Sequence, residues 1–198
     1  MAISLSRGFL SFIVGTLFGL FVVRWFVALL PGPRIEASIR GVRATSGNAA
    51  GCTFYIFFLK TDAPVDYVYA KIQFPTKINN YKVGFPQEAQ MPNTGRNSMQ
   101  LWDLSKDSAG ECTVVQAAVS NDTDIQSSAA GNMIGINASK LPPEAIIEGV
   151  ISTSEHQSAV NPLPNLYTEG AYEYPKLGQT VRRMLTIANS GVSDLREP

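Results

Sequence analysis

The sequence predicts an all-β protein: an antiparallel β-sandwich preceded by one N-terminal transmembrane helix. Three observations lead there. Residues 9–30 form a long apolar block, and the remainder of the chain alternates apolar and polar side chains with a period of two. Gly, Pro and Asn divide that alternation into seven or eight short strands about 8 to 15 residues apart, with no helical stretch between them. Parallel strands need long crossovers, so this spacing favours antiparallel pairing.

The apolar block, FLSFIVGTLFGLFVVRWFVALL, is 22 residues long, interrupted only by Arg24 and stopped by Pro31-Gly32-Pro33. At about 1.5 Å per residue a helix of that length covers the ~30 Å hydrocarbon layer of a bilayer. A cleaved export signal is a weaker fit, because its apolar part spans about 7 to 15 residues and ends in a small-x-small site. Arg7-Gly8-Phe9 resembles a pilin processing site, but Ile13 stands where a pilin carries its glutamate, and Pro31 breaks the helix. Trp25 and Phe26 suit an interfacial ring position, and Arg24 lies near enough to the end to extend its head to the lipid headgroups. Ser11, Gly15 and Gly19 recur every four residues, and with Arg24 they form an expected helix-packing face. Arg34, Arg40 and Arg43 follow the helix, against Arg7 before it, which by charge alone favours a cytoplasmic C-terminal domain. Long domains translocate largely regardless of charge, and the cysteine usage suits an oxidising space. The expectation is an extracytoplasmic domain.

The organisation expected is a tail at 1–8, the helix at 9–30, a linker at 31–34, one domain at 35–190 and a polar C-terminal tail at 191–198. In the domain, Ile35, Ala37 and Ile39 alternate with Glu36, Ser38 and Arg40 as a half-buried strand. Residues 45–51 are a loop of small residues, and 52–60 form a central strand. Asp62-Ala63-Pro64 turns the chain. Val68, Ala70, Ile72 and Phe74 then alternate with Tyr67, Tyr69, Lys71 and Gln73 until Pro75. Asn79-Asn80 reads as a tight turn, since Asn tolerates the left-handed region. Residues 85–97 read as a loop, 99–104 as a short strand and 112–120 as a second central strand. Strands at 133–138 and 146–153 bracket Leu141-Pro142-Pro143, and 161–165 is loop. The stretch 177–188 fits either a helical face or a strand.

Cys52 and Cys112 open two similar segments, CTFYIFFL and CTVVQAAV. A bridge between them would close a loop worth roughly 4 kcal/mol in the chain-entropy model. The other outcome is two unpaired buried thiols. Their separation lies in the range that immunoglobulin-like domains use for bridged strands, and the pattern over residues 35–190 resembles a divergent member of that fold. That resemblance implies an Ig-like sandwich joined by a Cys52–Cys112 bridge. It departs from the family where Tyr67 and Tyr69 replace the core tryptophan and Gly110 stands at the tyrosine-corner position.

Composition excludes several functions. Without Arg7 and Arg24 the chain carries 14 basic and 16 acidic residues, net about −2, with no basic cluster to recruit nucleic acid. One histidine and two cysteines do not supply a zinc site. Asp122 and Asp124 do not continue into a calcium-binding loop. No cofactor or metal is expected. His156 lacks a Gly-x-Ser-x-Gly partner, and Ser98-Met99, which resembles a signal-peptidase serine motif, is followed by Gln100-Leu101 where that motif has proline. Asn121-Asp-Thr and Asn137-Ala-Ser fit the N-glycosylation pattern. Tyr67, Tyr69 and Tyr81 in one region, and Tyr167, Tyr172 and Tyr174 in another, are candidate interface residues, because tyrosine joins a broad apolar face to a polar tip. The expected role is a membrane-anchored, non-enzymatic module that docks a protein partner. The alternatives are a subunit inserted in a membrane complex through its helix, and a membrane-surface hydrolase.

Overall fold

The computed structural model describes residues 7–29, 31–45, 47–86, 102–117, 119–120, 124–154 and 166–195. Among the described residues one α-helix, α1 (Arg7–Leu29), precedes thirteen strands, with a single 3-10 turn at Gly47–Ala49. They are β1 (Ile35–Ala44), β2 (Thr53–Thr61), β3 (Val65–Gln73), β4 (Ile78–Pro86), β5 (Trp102–Lys106), β6 (Cys112–Ala117), β7 (Val119–Ser120), β8 (Ile125–Ala130), β9 (Met133–Leu141), β10 (Ile146–Thr153), β11 (Tyr167–Lys176), β12 (Gln179–Met184) and β13 (Ile187–Leu195).

Two sheets face each other. One has the order β13-β1-β2-β10-β4-β7 and the other β12-β11-β3-β9-β8. Alternation on each strand supplies the core between them. Ile39, Tyr55, Phe57, Leu59, Ile147 and Ile151 come from the first sheet, and Val68, Ala70, Ile72, Ile134, Ile136 and Ala138 from the second. The period-two reading of β3 is thus matched residue by residue, with Val68, Ala70, Ile72 and Phe74 all buried. The Leu141-Pro142-Pro143 stretch carries the chain from β9 in one sheet to β10 in the other. Proline suits that crossing, having no N–H to leave unpaired.

A third layer covers the outer face of the first sheet. β5 and β6 form a separate two-stranded ribbon. Beneath it lies a second, smaller core of Ala44, Ala49, Cys52, Phe54, Cys112, Val114 and Val150, with Ile56 and Leu104 packed against it. A disulfide joins Cys52 to Cys112 across this layer, with Cα atoms 5.7 Å apart. The Asp107 carboxylate accepts from the Ala109 and Glu111 amides at 2.9 and 2.8 Å, which closes the ribbon's turn.

Four expectations are corrected and one open choice is resolved. Asn79-Asn80 is no turn but lies within β4. The Asn80 amide donates to Ser152 Oγ, and its carbonyl accepts from the same hydroxyl, both at 3.1 Å. Its side-chain amide donates to Thr113 Oγ1 at 3.0 Å. With these polar groups paired across strands, the turn preference of Asn is overridden. The segment opened by Cys112 is a ribbon strand, not a central one, and its Cys112 and Val114 pack on the outside of the first sheet. β4 continues through Phe85 and Pro86, pairing with β7, where a loop was expected. The ambiguous stretch after Leu177 is a β12 hairpin arm followed by β13. Finally, β13 runs to Leu195 and pairs with β1 in parallel, Ala37↔Ile187 through Ala44↔Leu195. Its register with β1 makes Val192 to Leu195 strand rather than tail, and it adds one parallel pair to an otherwise antiparallel fold. The whole sandwich serves as the long crossover that a parallel pair requires.

Glu148 lies on the outer face of β10, only 7% exposed. Burial pushes its carboxyl above the ordinary value of 4.5, and the Arg40 charge opposes this. A raised carboxyl pKa means that the folded chain holds this proton more tightly than the unfolded chain. Its contribution therefore favours folding at low pH and declines as pH rises through the interval between the two values. Glu148→Gln is expected to raise the melting temperature at pH 7 and to remove that decline. Melting curves from pH 4 to 8 test this, and an unchanged slope would refute it.

Candidate functional site: linker clamp and tyrosine face

The Pro31-Gly32-Pro33 segment that joins α1 to the sandwich is held against the inner edge of β11. The Tyr172 hydroxyl donates to the Pro33 carbonyl at 3.3 Å, and Lys176 Nζ donates to the Pro31 carbonyl at 3.3 Å. Tyr172 and Tyr174 stack with ring centroids 5.9 Å apart, at 28°. Gly32 sits so close to the Tyr174 ring that an added Cβ would overlap its hydroxyl and force the ring to shift. Lys176 Nζ and Arg183 Cζ lie 5.8 and 5.9 Å from the centre of the Tyr174 ring, within cation–π range. Desolvation, and secondarily the Arg183 charge, pull the Lys176 pKa below its usual value. Beyond the prolines, the Arg34 amide donates to Asp62 Oδ1 at 2.8 Å and the Asp62 amide to the Arg34 carbonyl at 3.2 Å. From Pro31 the chain thus enters β1 along a fixed path.

The outward face of the second sheet carries the other tyrosines. Register places Tyr67, Tyr69 and Lys71 of β3 beside Glu173, Ala171 and Glu169 of β11, and Tyr167 beside Gln73. The row continues from Tyr69 to Asn137 on β9 and from Ala171 to Met184 on β12. Tyr67, Tyr167 and Met184 are 39, 58 and 76% exposed, an amphipathic strip with little of its apolar area covered. The Tyr67 hydroxyl donates to Asn137 Oδ1 at 2.7 Å, and Glu173 Oε1 lies 3.9 Å from Arg182 Nε.

The six tyrosines thus separate into three roles. Tyr67, Tyr69 and Tyr167 face outward; Tyr172 and Tyr174 turn inward onto the linker. Tyr81 is on β4 in the opposite sheet from β3, so it shares no hairpin with Tyr67. It packs against the main core and donates to the Ser127 carbonyl at 3.3 Å. On α1, Gly15 and Gly19 have open space around them. Val14, Leu17, Phe18, Leu20, Phe21, Val23, Trp25 and Phe26 are all more than half exposed. Among the described residues no helix is long and apolar enough to cross a membrane. The side chains described on α1 are those of Val14 to Val23, Trp25 and Phe26, fewer than the roughly 20 that a crossing takes. The side chains of Ser11 and Arg24, with residues Ser98, Asn121, Asp122 and His156, lie outside the described residues. Among the described residues no three metal-ligating side chains come together. Sequence reasoning missed Lys176, Arg183, Leu177 and Met184. The Pro-Gly-Pro break was the one signal that the linker would need a seat.

Leu177 and Gly178 form the two-residue turn between β11 and β12, with Lys176 paired to Gln179 and φ of 47° and 76°. Positive φ at both central residues suits Asn-Gly, and leucine there strains the backbone. Leu177→Asn is expected to stabilise the sandwich by about 1 kcal/mol in urea unfolding; a loss of stability would contradict this geometry.

No protein-family model and no curated sequence matches this chain. Solved structures are similar to it at low level. A GH20 exo-β-N-acetylglucosaminidase from Vibrio harveyi is 10% identical, with a TM-score of 0.38 over 82% of this chain. This chain spans 19% of that enzyme's length. The collagen-binding subdomain ACE19 of the Enterococcus faecalis surface protein ACE is 10% identical, with a TM-score of 0.37, over 78% of this chain and 96% of that one. A structure of manganese lipoxygenase of Gaeumannomyces graminis, with part of zonadhesin of Komagataella pastoris, matches at 7% identity and a TM-score of 0.38, over 76% and 45% of the two chains. Likeness at this level leaves function to the chain's own residues.

Proposed function

We propose that this chain is a single-pass, membrane-anchored Ig-like β-sandwich, extracytoplasmic and non-enzymatic, that presents the tyrosine face of its second sheet to a protein partner. One observation carries the reading. Eight large apolar side chains of α1 stand exposed, immediately before a linker clamped to the sandwich. Leaving that surface in water costs about 25 cal/mol per Å² of apolar area, whereas lipid covers it. The clamp would then hold the sandwich in one attitude at the bilayer. The disulfide supports an oxidising compartment. The Ig-like detail is supported by two stacked sheets, a first strand paired with the last, and a proline-marked crossing between sheets. A face of exposed Tyr and Met beside balanced charges has the composition of protein interfaces.

Alkaline carbonate washing of membranes tests the anchor: the full chain is expected to stay in the pellet, and a chain lacking residues 1–30 to appear in the supernatant. Release of the intact chain would end this reading. A photo-crosslinker at Tyr69 tests the face, with one discrete adduct expected and none from the same group at the buried Ala70 position. A second reading, assembly through the helix, is favoured by the open space at Gly15 and Gly19. Gly15→Leu with Gly19→Leu would then abolish assembly while leaving membrane retention intact.

A further inference from the structure

The end of the sandwich from which the linker departs differs from the rest of its surface. Val65 pairs with Leu141, and Tyr67 with Glu173. These registers bring three connections to one end: the β2–β3 turn, the β9–β10 crossing and the β11–β12 turn. Among the described residues the three non-glycine positions with positive φ are Lys140 (53°), Glu144 (58°) and Leu177 (47°). All three lie at this end. Strain of that kind persists where a side chain is needed in a particular place. Leu177 is 75% exposed at a turn tip, and no described side chain covers it. Lys140, Pro142 and Pro143 are exposed at the same end, while Glu144 is neutralised by Lys60 at 2.8 Å.

The linker fixes what this end faces. Lys176, the residue before the Leu177 turn, bonds to the Pro31 carbonyl. Pro31 is two residues from Leu29, the end of α1, so at most about 7 Å of chain separates them. Pro33 lies further in along β11, by Tyr172, so going from Pro33 back to Pro31 the chain runs toward the turn. Resting on the proposal that α1 lies in lipid, we infer that this end is a foot seated on the same bilayer. Leu177 enters the interfacial layer, and the exposed Lys140 lies level with the lipid phosphates. A leucine accepts a strained turn here because lipid, not water, receives it, and the Lys140 cation at the same end meets phosphate. The foot and the clamp together would set the sandwich upright, with its tyrosine face held away from the surface.

The full chain with Leu177→Cys is labelled with the environment-sensitive fluorophore NBD; the bridged Cys52 and Cys112 do not react. It is reconstituted in phosphatidylcholine–phosphatidylglycerol vesicles with and without lipids carrying a headgroup-level nitroxide. The expected result is a blue-shifted emission lost on adding the nitroxide lipid. Ala130→Cys, at the opposite end, is expected to show neither. Pro143→Cys, on the neighbouring crossing, should repeat the Leu177 result if the label disturbs the tight turn. A water-like spectrum at both 177 and 143, in chains that resist carbonate extraction, overturns the foot and leaves the anchor standing. A blue shift without nitroxide quenching assigns the turn to a protein contact and also overturns it. A chain that does not stay with the vesicles overturns both foot and anchor.

Discussion

Replacing Cys52 and Cys112 together with alanine is expected to destabilise the sandwich by about 4 kcal/mol. The bridge spans 60 residues, and closing a loop of that length removes roughly this much freedom from the unfolded chain. The folded side adds to the effect. The β5–β6 ribbon is hydrogen-bonded only to itself in its sheet, and it reaches β4 through the Asn80–Thr113 bond. Without the bridge, the small core under it depends on Phe54, Val114, Val150 and their neighbours alone. Urea unfolding of the purified domain, oxidised and double-substituted, measures the difference. Proteolysis within the ribbon before global unfolding is expected in the substituted protein, because a two-stranded ribbon is marginal by itself. A change below about 1 kcal/mol would show that packing, not the bridge, holds this layer.

Tyr174→Ala is expected to cost about 3 kcal/mol, in the range for truncating a buried aromatic. Tyr174 is 3% exposed and is the common neighbour of Gly32, Tyr172, Lys176 and Arg183. Its loss removes the ring against which Gly32 packs and leaves the linker held by the Tyr172 and Lys176 hydrogen bonds alone. Trypsin should then cut after Arg34 many times faster than in the native protein, while the core strands stay protected. Tyr174→Phe separates ring from hydroxyl. The hydroxyl is buried and finds no hydrogen-bond partner among the described groups, so its removal is expected to be neutral or slightly stabilising. Both variants behaving alike under trypsin would mean that the clamp does not restrain the linker.

Local pattern carried the β-rich class a long way. The alternation on β1 and β3, the apolar β2, the Asp62-Ala63-Pro64 turn and the β9 and β10 segments were all legible, because a strand that buries one face must repeat every second residue. The bridge was legible as one of two outcomes. β8 was not, since Ile125 to Ala130 is mostly small, polar and exposed at a sheet edge, with no buried face to leave a pattern. β11 was hidden for a different reason: Gly170, Ala171 and Pro175 interrupt its alternation, and its apolar residues serve both core and linker. The candidate site was half legible. Tyrosine as a residue type drew attention to the right strands, but it could not distinguish Tyr67, facing out, from Tyr174, facing in.

By itself the sequence determined several strands with one apolar face, β1, β2, β3, β9 and β10 among them, and a long apolar helix ahead of Pro31, because these depend on local periodicity and composition. Tertiary structure alone decided three things: that β13 closes onto β1, that Asn80 stays in a strand between Ser152 and Thr113, and that Tyr172 and Tyr174 hold the linker. Each depends on a partner dozens of residues away, and no local preference encodes which distant group will satisfy a buried amide or cover a ring.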